Sequence, residues 1–363
     1  MNEGSVRDKL LSSEIRTLHC PAGEAGSSPY APISVSALIP GERLTFNLYL
    51  KVAQKETHDF AYPCFLKEEE VWERQWLDLL AQKGISRLYF LKEDLGSVIS
   101  YLNNYLQLLS HQSQKVTKKL LAVFSEHLNL SIRLAFQSSG LGPAAQMAHD
   151  QVESLIDKLQ QDPVAVKLVW KILYHDYNLF NHSINLCLLG TAFAVFLKKP
   201  RNECLELGLA GLFHDIGMTC IPQELILKEG PLTPEERSQV NHHPTIGHRL
   251  LSKDTSLAHL SHVVLRLCLE HHENADGSGY PQCLPLNRQH PLTRIIRLLD
   301  SYDSLTINRP YRSAYKPFEA IKILQETNGP RGSIYDLQTL KQFILFHAPD
   351  SEVYNSTDSI LKR

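Results

Sequence analysis

The chain has 363 residues, 43% hydrophobic and 21% charged, with a formal net charge of −2. That length allows two domains with ample core, and the near-zero charge excludes a bulk electrostatic pull toward DNA, RNA or an anionic membrane. An anionic ligand must therefore be held by a local site. The 7 cysteines are scattered with no CxxC pair, which argues against a disulfide framework or zinc knuckle and for a reducing compartment.

The N-terminal "MNEGSVRDKLLSSEIR" has no apolar h-region, so no signal peptide is expected. The longest apolar run, Ile184 to Leu197, is shorter than the roughly 20 residues of a membrane span and reads as a buried helix. A cytoplasmic protein without membrane partners is the expectation. Residues 1–30, rich in Ser, Gly, Glu and Pro, read as a loose arm. From Ile33, "ISVSALIPGERLTFNLYLKV" alternates apolar and polar residues around a Pro-Gly turn, as short strands do. "EEEVWERQWLDLLAQKGI" predicts an amphipathic helix ended by Gly84, "SRLYFLKED" a strand, and "LGSVISYLNNYLQLLS" a further helix. Residues 31–110 thus form a small α/β domain without a catalytic cluster. Residues 111–148 read as a helical linker, broken near Gly140 and able to pair with a second copy of itself. Beyond it, residues 149–350 carry helical periodicity almost throughout, followed by a tail over 351–363. The fold class is mainly α: an all-helical C-terminal bundle behind a small α/β domain.

The chemistry concentrates in that bundle. His182 opens the apolar helix; His214 and Asp215 follow "LGLAGLF"; His243 lies at a helix start; His271 and His272 begin "HHENADGSGYP"; Asp300 and Asp303 close "RIIRLLDSYD". Apolar helices carry these groups inward, and an unpartnered buried carboxylate costs several kcal/mol. A metal ion would satisfy carboxylates and imidazoles together. His/Asp ligation without thiolates suits Fe, Mn, Co or Zn. About seven ligands exceed the needs of one ion and fit two, bridged by Asp215.

"HDIG", "HHENADGSGYP" and "DSYDSLTINRPYR", in this order and spacing, resemble the HD-GYP subgroup of the HD phosphohydrolase superfamily over roughly residues 150–350. The resemblance implies a helical bundle with a two- or three-metal centre, usually iron or manganese, that hydrolyses cyclic di-GMP to pGpG and onward to GMP. It places His182, His214, Asp215, His243, His271, His272 and Asp300 on metal-ligand positions, with Asp215 bridging. It places Gly279, Tyr280 and Pro281 on the loop lining the substrate groove. Asp303, Arg309 and Arg312 fall on polar and basic positions near the nucleotide, Asp303 beside Asp215 as a catalytic group. The N-terminal region is similar to an accessory domain often found ahead of such domains.

Two positions depart from the family. Met218 stands where a lysine usually reaches the scissile phosphate. Asn178 stands where some members have a glutamate for a third metal, which favours two ions, iron first and manganese second. The expected activity is a metal-dependent cyclic di-GMP phosphodiesterase, using hydroxide generated between the ions. The alternative, resting on Met218, is a cyclic-dinucleotide receptor or interaction module of low or no activity. Cyclic di-GMP, pGpG, a second copy of the chain and a signalling protein are the expected partners.

Overall fold

The computed structural model describes residues 28–53, 60–112, 115–137, 142–173, 179–228, 230–308, 312–329 and 333–347. Of the arm read over residues 1–30, residues 1–27 lie outside the described residues and Tyr30 opens the first strand; the break at 138–141, Asn178, Arg309 and the tail over 351–363 also lie outside them. The chain divides into two compact units, between Gln137 and Ser138.

The first unit is built on a four-stranded antiparallel sheet in the order β1 (Tyr30–Ser34), β6 (Arg87–Leu91), β2 (Leu48–Tyr49), β5 (Cys64–Leu66). A separate ribbon pairs β3 (Val52–Ala53) with β4 (Phe60–Ala61). The alternation read from the sequence governs burial here: Leu44, Phe46, Leu48 and Leu50 are all 2% exposed or less. Only Leu48–Tyr49 of that stretch forms ladder, and its register with β5 shifts between those two residues. Three helices complete the unit: α1 (Arg74–Gln82), α2 (Leu95–Gln112) and α3 (Lys118–Gln137). Helix α1 stops ahead of Gly84, whose φ is +68°. Helix α3 packs on α2 and on the 3-10 turn Val35–Ala37. There the Lys119 ammonium donates to the carbonyls of Ser36, at 2.6 Å, and Leu38.

The second unit is helical. It runs through α4 (Gly142–Gln161), a 3-10 segment (Pro163–Lys171), α5 (Leu179–Phe196), α6 (Arg201–Phe213), a 3-10 turn (Ile216–Cys220), α7 (Gln223–Ile226) and α8 (Pro234–Val240). It continues with α9 (His243–Lys253), α10 (His262–Glu270), α11 (Pro291–Thr306), α12 (Pro317–Asn328) and α13 (Leu337–His347). The segment read as a linker thus comprises α3, in the first unit, and the start of α4, in the second.

Helix α5 has apolar residues all round, and a helix of that kind is stable only when enclosed. Residues 181 to 196 are all buried, with α4, α6 and α11 packed against the helix. Local signals place the other ends. Thr233 and Glu236 form a capping box on α8, and Ser261 caps α10. A cluster of Trp170, Phe193, Tyr302, Phe343 and Phe346 fills the core on one side of α5 and α11, with ring centroids 4.9–6.0 Å apart in its principal contacts. This packing fixes α11, and with it Asp300, against α5, and with it His182.

Candidate metal centre

Three of the site histidines are set by one local device. His214 follows the last residue of α6, His271 follows α10, and His243 lies three residues beyond Val240, the end of α8. The last carbonyls of a helix have no intrahelical donor. His214 Nδ1–H donates to Gly211 O at 2.9 Å, His243 Nδ1–H to Val240 O at 2.8 Å and His271 Nδ1–H to Cys268 O at 2.8 Å. A carbonyl can only accept, so each Nδ1 carries a proton, and the neutral form of each ring would turn a bare Nε2 to the other side.

Those bare nitrogens converge. His214 Nε2 lies 3.2 Å from His182 Nε2, and His243 Nε2 lies 3.1 Å from His271 Nε2. Asp215 lies among them with its two oxygens divided. Oδ1 is 3.1 Å from His243 Nε2 and 3.6 Å from His271 Nε2; Oδ2 is 3.5 Å from His214 Nε2 and 3.7 Å from His182 Nε2. Asp300 also reaches both groups, with Oδ1 3.2 Å from His182 Nε2 and Oδ2 3.6 Å from His272 Nδ1. Two ligand groups result: Asp215, His243, His271 and His272 in one, and His182, His214 and Asp215 in the other. All seven residues expected as ligands come together, although Asp300 spans both groups as Asp215 does.

The cluster is buried except along one edge. His214 and His271 are fully inaccessible, whereas the side chains of His272, Asp215 and Asp300 are 21%, 12% and 10% exposed. In their neutral forms the imidazoles and the two carboxylates aim acceptors at acceptors, an arrangement that repels itself unless positive charge sits between them. The electrostatics carry the same demand. Burial would push the Asp215 carboxyl up, but His214, His243 and His271 together hold it well below the usual carboxylate range. Burial likewise opposes charge on His182, yet the carboxylates of Asp300 and Asp303 outweigh it and lift the imidazole to about 10. Burial and the neighbouring imidazoles push His271 down to about 4 and also hold His272 low, in the neutral form a metal requires. The donor set therefore fits two divalent cations sharing Asp215.

Behind these residues stands a layer of buried carboxylates. Asp303 accepts from His182 Nδ1–H at 2.7 Å and from Asn185 Nδ2–H at 2.8 Å, so both its oxygens are occupied by residues of α5. This is the carboxylate–histidine arrangement that fixes the tautomer of a metal-ligating ring. Expected beside Asp215 as a catalytic group, Asp303 is 1% exposed and faces His182. Glu270 accepts from Thr293 Oγ1, at 2.8 Å, and from His290 N–H, at 3.1 Å, and so ties the end of α10 to the start of α11. Glu273, 1% exposed, is the third member of "HHE" and holds the loop that follows. Its two oxygens accept from Gln282 N–H at 2.7 Å and Leu284 N–H at 2.8 Å.

Two glycines permit this closeness. A Cβ on Gly217 would lie 2.0 Å from His243 O, so only glycine lets the turn after Asp215 rest on the start of α9. A Cβ on Gly279 would lie 2.4 Å from His272 O and 2.3 Å from Asn274 N. The Gly279–Tyr280–Pro281 loop can therefore fold back on the metal ligands, with the Tyr280 ring 4.8 Å from His272 and tilted 31° to it. Met218 is half-buried in the turn beyond Asp215 and donates its N–H to Asp215 O at 2.9 Å. Arg312 donates to the carbonyls of Ser304, Leu305 and Ser313 at 2.6–3.0 Å and lies over the Tyr315 ring. It thereby closes the end of α11.

Residues 169–336 match the HD domain family. Over that span the C-terminal unit is similar to an HD domain, and the order of its motifs keeps the resemblance to the HD-GYP subgroup. The cyclic di-GMP phosphodiesterase PA4108 of Pseudomonas aeruginosa is 34% identical over 211 residues, 58% of this chain and 49% of that protein. A cyclic di-GMP phosphodiesterase of Thermotoga maritima is 32% identical over 182 residues, 50% of this chain and 48% of that one. The 3'3'-cGAMP-specific phosphodiesterase 3 of Vibrio cholerae is 33% identical over 145 residues, 40% of this chain and 31% of its own length. The chain spans about half the length of the first two relatives. Among solved structures, Bd1817, a HDG"Y"P protein from Bdellovibrio bacteriovorus, aligns with a TM-score of 0.65 at 20% identity. The alignment covers 92% of this chain and 100% of that one, a likeness of fold. Among the described residues, no helix is long and apolar enough to cross a membrane.

Proposed function

We propose that this chain is a metal-dependent phosphodiesterase of cyclic dinucleotides, cyclic di-GMP first among them, yielding pGpG and then GMP. One observation carries the reading: Asp215 divides its two oxygens between two imidazole groups whose bare nitrogens face one another. When bound, a pair of divalent ions, with iron favoured and manganese next, would supply Lewis acidity and an acidified water at neutral pH. The chain's own residues do the rest. His182, His214, His243, His271, His272, Asp215 and Asp300 hold the ions; Asp303 orients His182; Glu273 holds the loop bearing Tyr280 beside the open edge. That edge, at His272, Asp215 and Asp300, is where a phosphodiester can approach. The relatives' names support cyclic di-GMP as the substrate, with 3'3'-cGAMP as the nearest variant of the same chemistry.

Met218 brings no charge to the turn beside Asp215, and methionine offers only packing and a weak acceptor. Slow turnover is the expected result, and at its limit the chain becomes the receptor considered above. A single experiment separates these readings: metal analysis of anaerobically purified chain, with hydrolysis of cyclic di-GMP and pGpG measured on the same sample. About two ions per chain and a linear dinucleotide product are expected. Tight cyclic di-GMP binding with two ions and no product would make the chain a receptor. A chain that cannot be loaded with iron or manganese would sink both.

A further inference from the structure

Arg297 lies on α11 one helical turn before Asp300 and is half-buried. Its Nε–H and one Nη2–H donate to the amide oxygen of Asn274 at 3.1 and 3.0 Å, and one Nη1–H donates to Ser301 Oγ at 2.5 Å. The guanidinium carbon lies 5.4 Å from the centre of the Tyr335 ring. Asn274 comes two residues after His272, and its backbone N is the atom on which Gly279 closes. The cation therefore belongs to the same wall as the Tyr280 loop, beside the open edge of the metal cluster.

All of these partners are neutral. Among the described residues no carboxylate stands within ion-pair distance of Arg297. Two other arginines of this unit are paired with carboxylates: Arg201 binds Glu153 and Asp157, and Arg266 binds Glu270. A guanidinium has five N–H donors. Three are spent on holding Arg297 in place, which leaves one on each terminal nitrogen. A half-buried cation, oriented by neutral groups and with a two-donor fork to spare, is poised for an anion.

We propose that Arg297 binds the second, non-scissile phosphate of the dinucleotide, supplying a fixed positive charge to the substrate side of the site. The assignment rests on the phosphodiesterase reading. A cyclic dinucleotide carries two phosphates in one ring, so when one lies at the metal cluster the other must lie nearby, on a wall of the same site. Simple phosphodiesters have no second phosphate and gain nothing from this contact.

The test uses the full chain loaded with manganese and an Arg297→Met variant, which keeps the aliphatic stem and removes the charge. Calorimetric affinities for cyclic di-GMP and cyclic di-AMP, metal content, and kcat/KM for cyclic di-GMP and bis(p-nitrophenyl) phosphate are compared. Loss of one charge-assisted contact should weaken both dinucleotides about tenfold or more, with metal content retained. The loss in kcat/KM should be about tenfold greater for cyclic di-GMP than for bis(p-nitrophenyl) phosphate. A defect confined to cyclic di-GMP would assign Arg297 to a guanine edge and overturn the phosphate contact. Equal losses on both esters, or a fall in metal content, would reduce Arg297 to support for the Tyr280 loop. Unchanged dinucleotide affinity would overturn the proposal outright. A wild-type chain that holds its metal yet neither binds nor cleaves a dinucleotide would sink the phosphodiesterase reading and this role together, a pattern distinct from any variant-specific result.

Discussion

The two units bury charge in opposite ways. In the N-terminal unit, the half-buried ammonium of Lys119 is drawn against the Val35–Ala37 turn, and two backbone carbonyls receive it. Donor meets acceptor within the chain. In the C-terminal unit, His182, His214, His243 and His271 direct ring nitrogens at one another and at Asp215 and Asp300. There the buried groups complement something other than each other. Burial by itself does not distinguish a structural polar group from a functional one. The pairing of donors with acceptors does.

The largest expected effect falls on the shared ligand. Asp215→Ala should remove both ions and lower cyclic di-GMP turnover by more than about a thousandfold, because each ion loses a ligand at once. Metal content by mass spectrometry is the primary readout, with circular dichroism to show that the helices persist. Retention of either ion at full occupancy would break the comparison, since Asp215 would then serve only one group.

A smaller effect is expected one layer out. Asp303→Asn keeps the shape but cannot accept from both His182 Nδ1–H and Asn185 Nδ2–H, so the ring loses its fixed tautomer. Metal affinity should fall about 10- to 100-fold, and activity should return when manganese is raised to saturation. A kcat that stays low in saturated metal would instead place Asp303 among the groups that act on substrate.

The smallest effect belongs to the N-terminal unit and shows itself in pH. Burial lowers Lys119 to about 8, against 10.5 for the free side chain. Between those values the unfolded chain binds more protons than the folded one, so stability rises with pH across that window. The penalty of burying the ammonium is full below pH 8 and gone above about 10.5. Lys119→Met should remove that pH-dependent gain and leave metal content untouched. Denaturant titrations at pH 7 and pH 9.5 measure it, and a gain that survives in the variant would assign the pH dependence to another group.

Much of this was legible in the sequence, for physical reasons that differ by region. The clustered residues were readable because most of them end or open an apolar run, and inward delivery of a histidine or aspartate has few structural uses. Helix α5 was readable because apolar residues surround it. What escaped notice depends on partners distant in the chain. Asp303 and His182 are 121 residues apart, and nothing local to either announces the other. Glu273 sat in plain view within "HHE", but its role requires knowing that Gln282 and Leu284 return to it. Arg297 looked like an ordinary charged residue of "RIIRLL", since the neutrality of its neighbours is a property of the fold. In the N-terminal unit, the alternation of Leu44, Phe46, Leu48 and Leu50 foretold burial better than it foretold ladder. A side chain's face follows from extended backbone alone, whereas a ladder also needs a partner in register.

The division of Asp215 between two groups has a mechanical consequence for the chain. Its oxygens adjoin residues carried by α5, by the ends of α6 and α10 and by the start of α9, while Asp300 adds α11. Filling the cluster would therefore knot five separate stretches of polypeptide at one point and close several long loops, the kind of closure a set of cross-links provides. Occupancy would raise the resistance of the whole C-terminal unit to unfolding by mass action. On that reading, the supply of the ion would govern how long the chain stays folded as well as how fast it turns over.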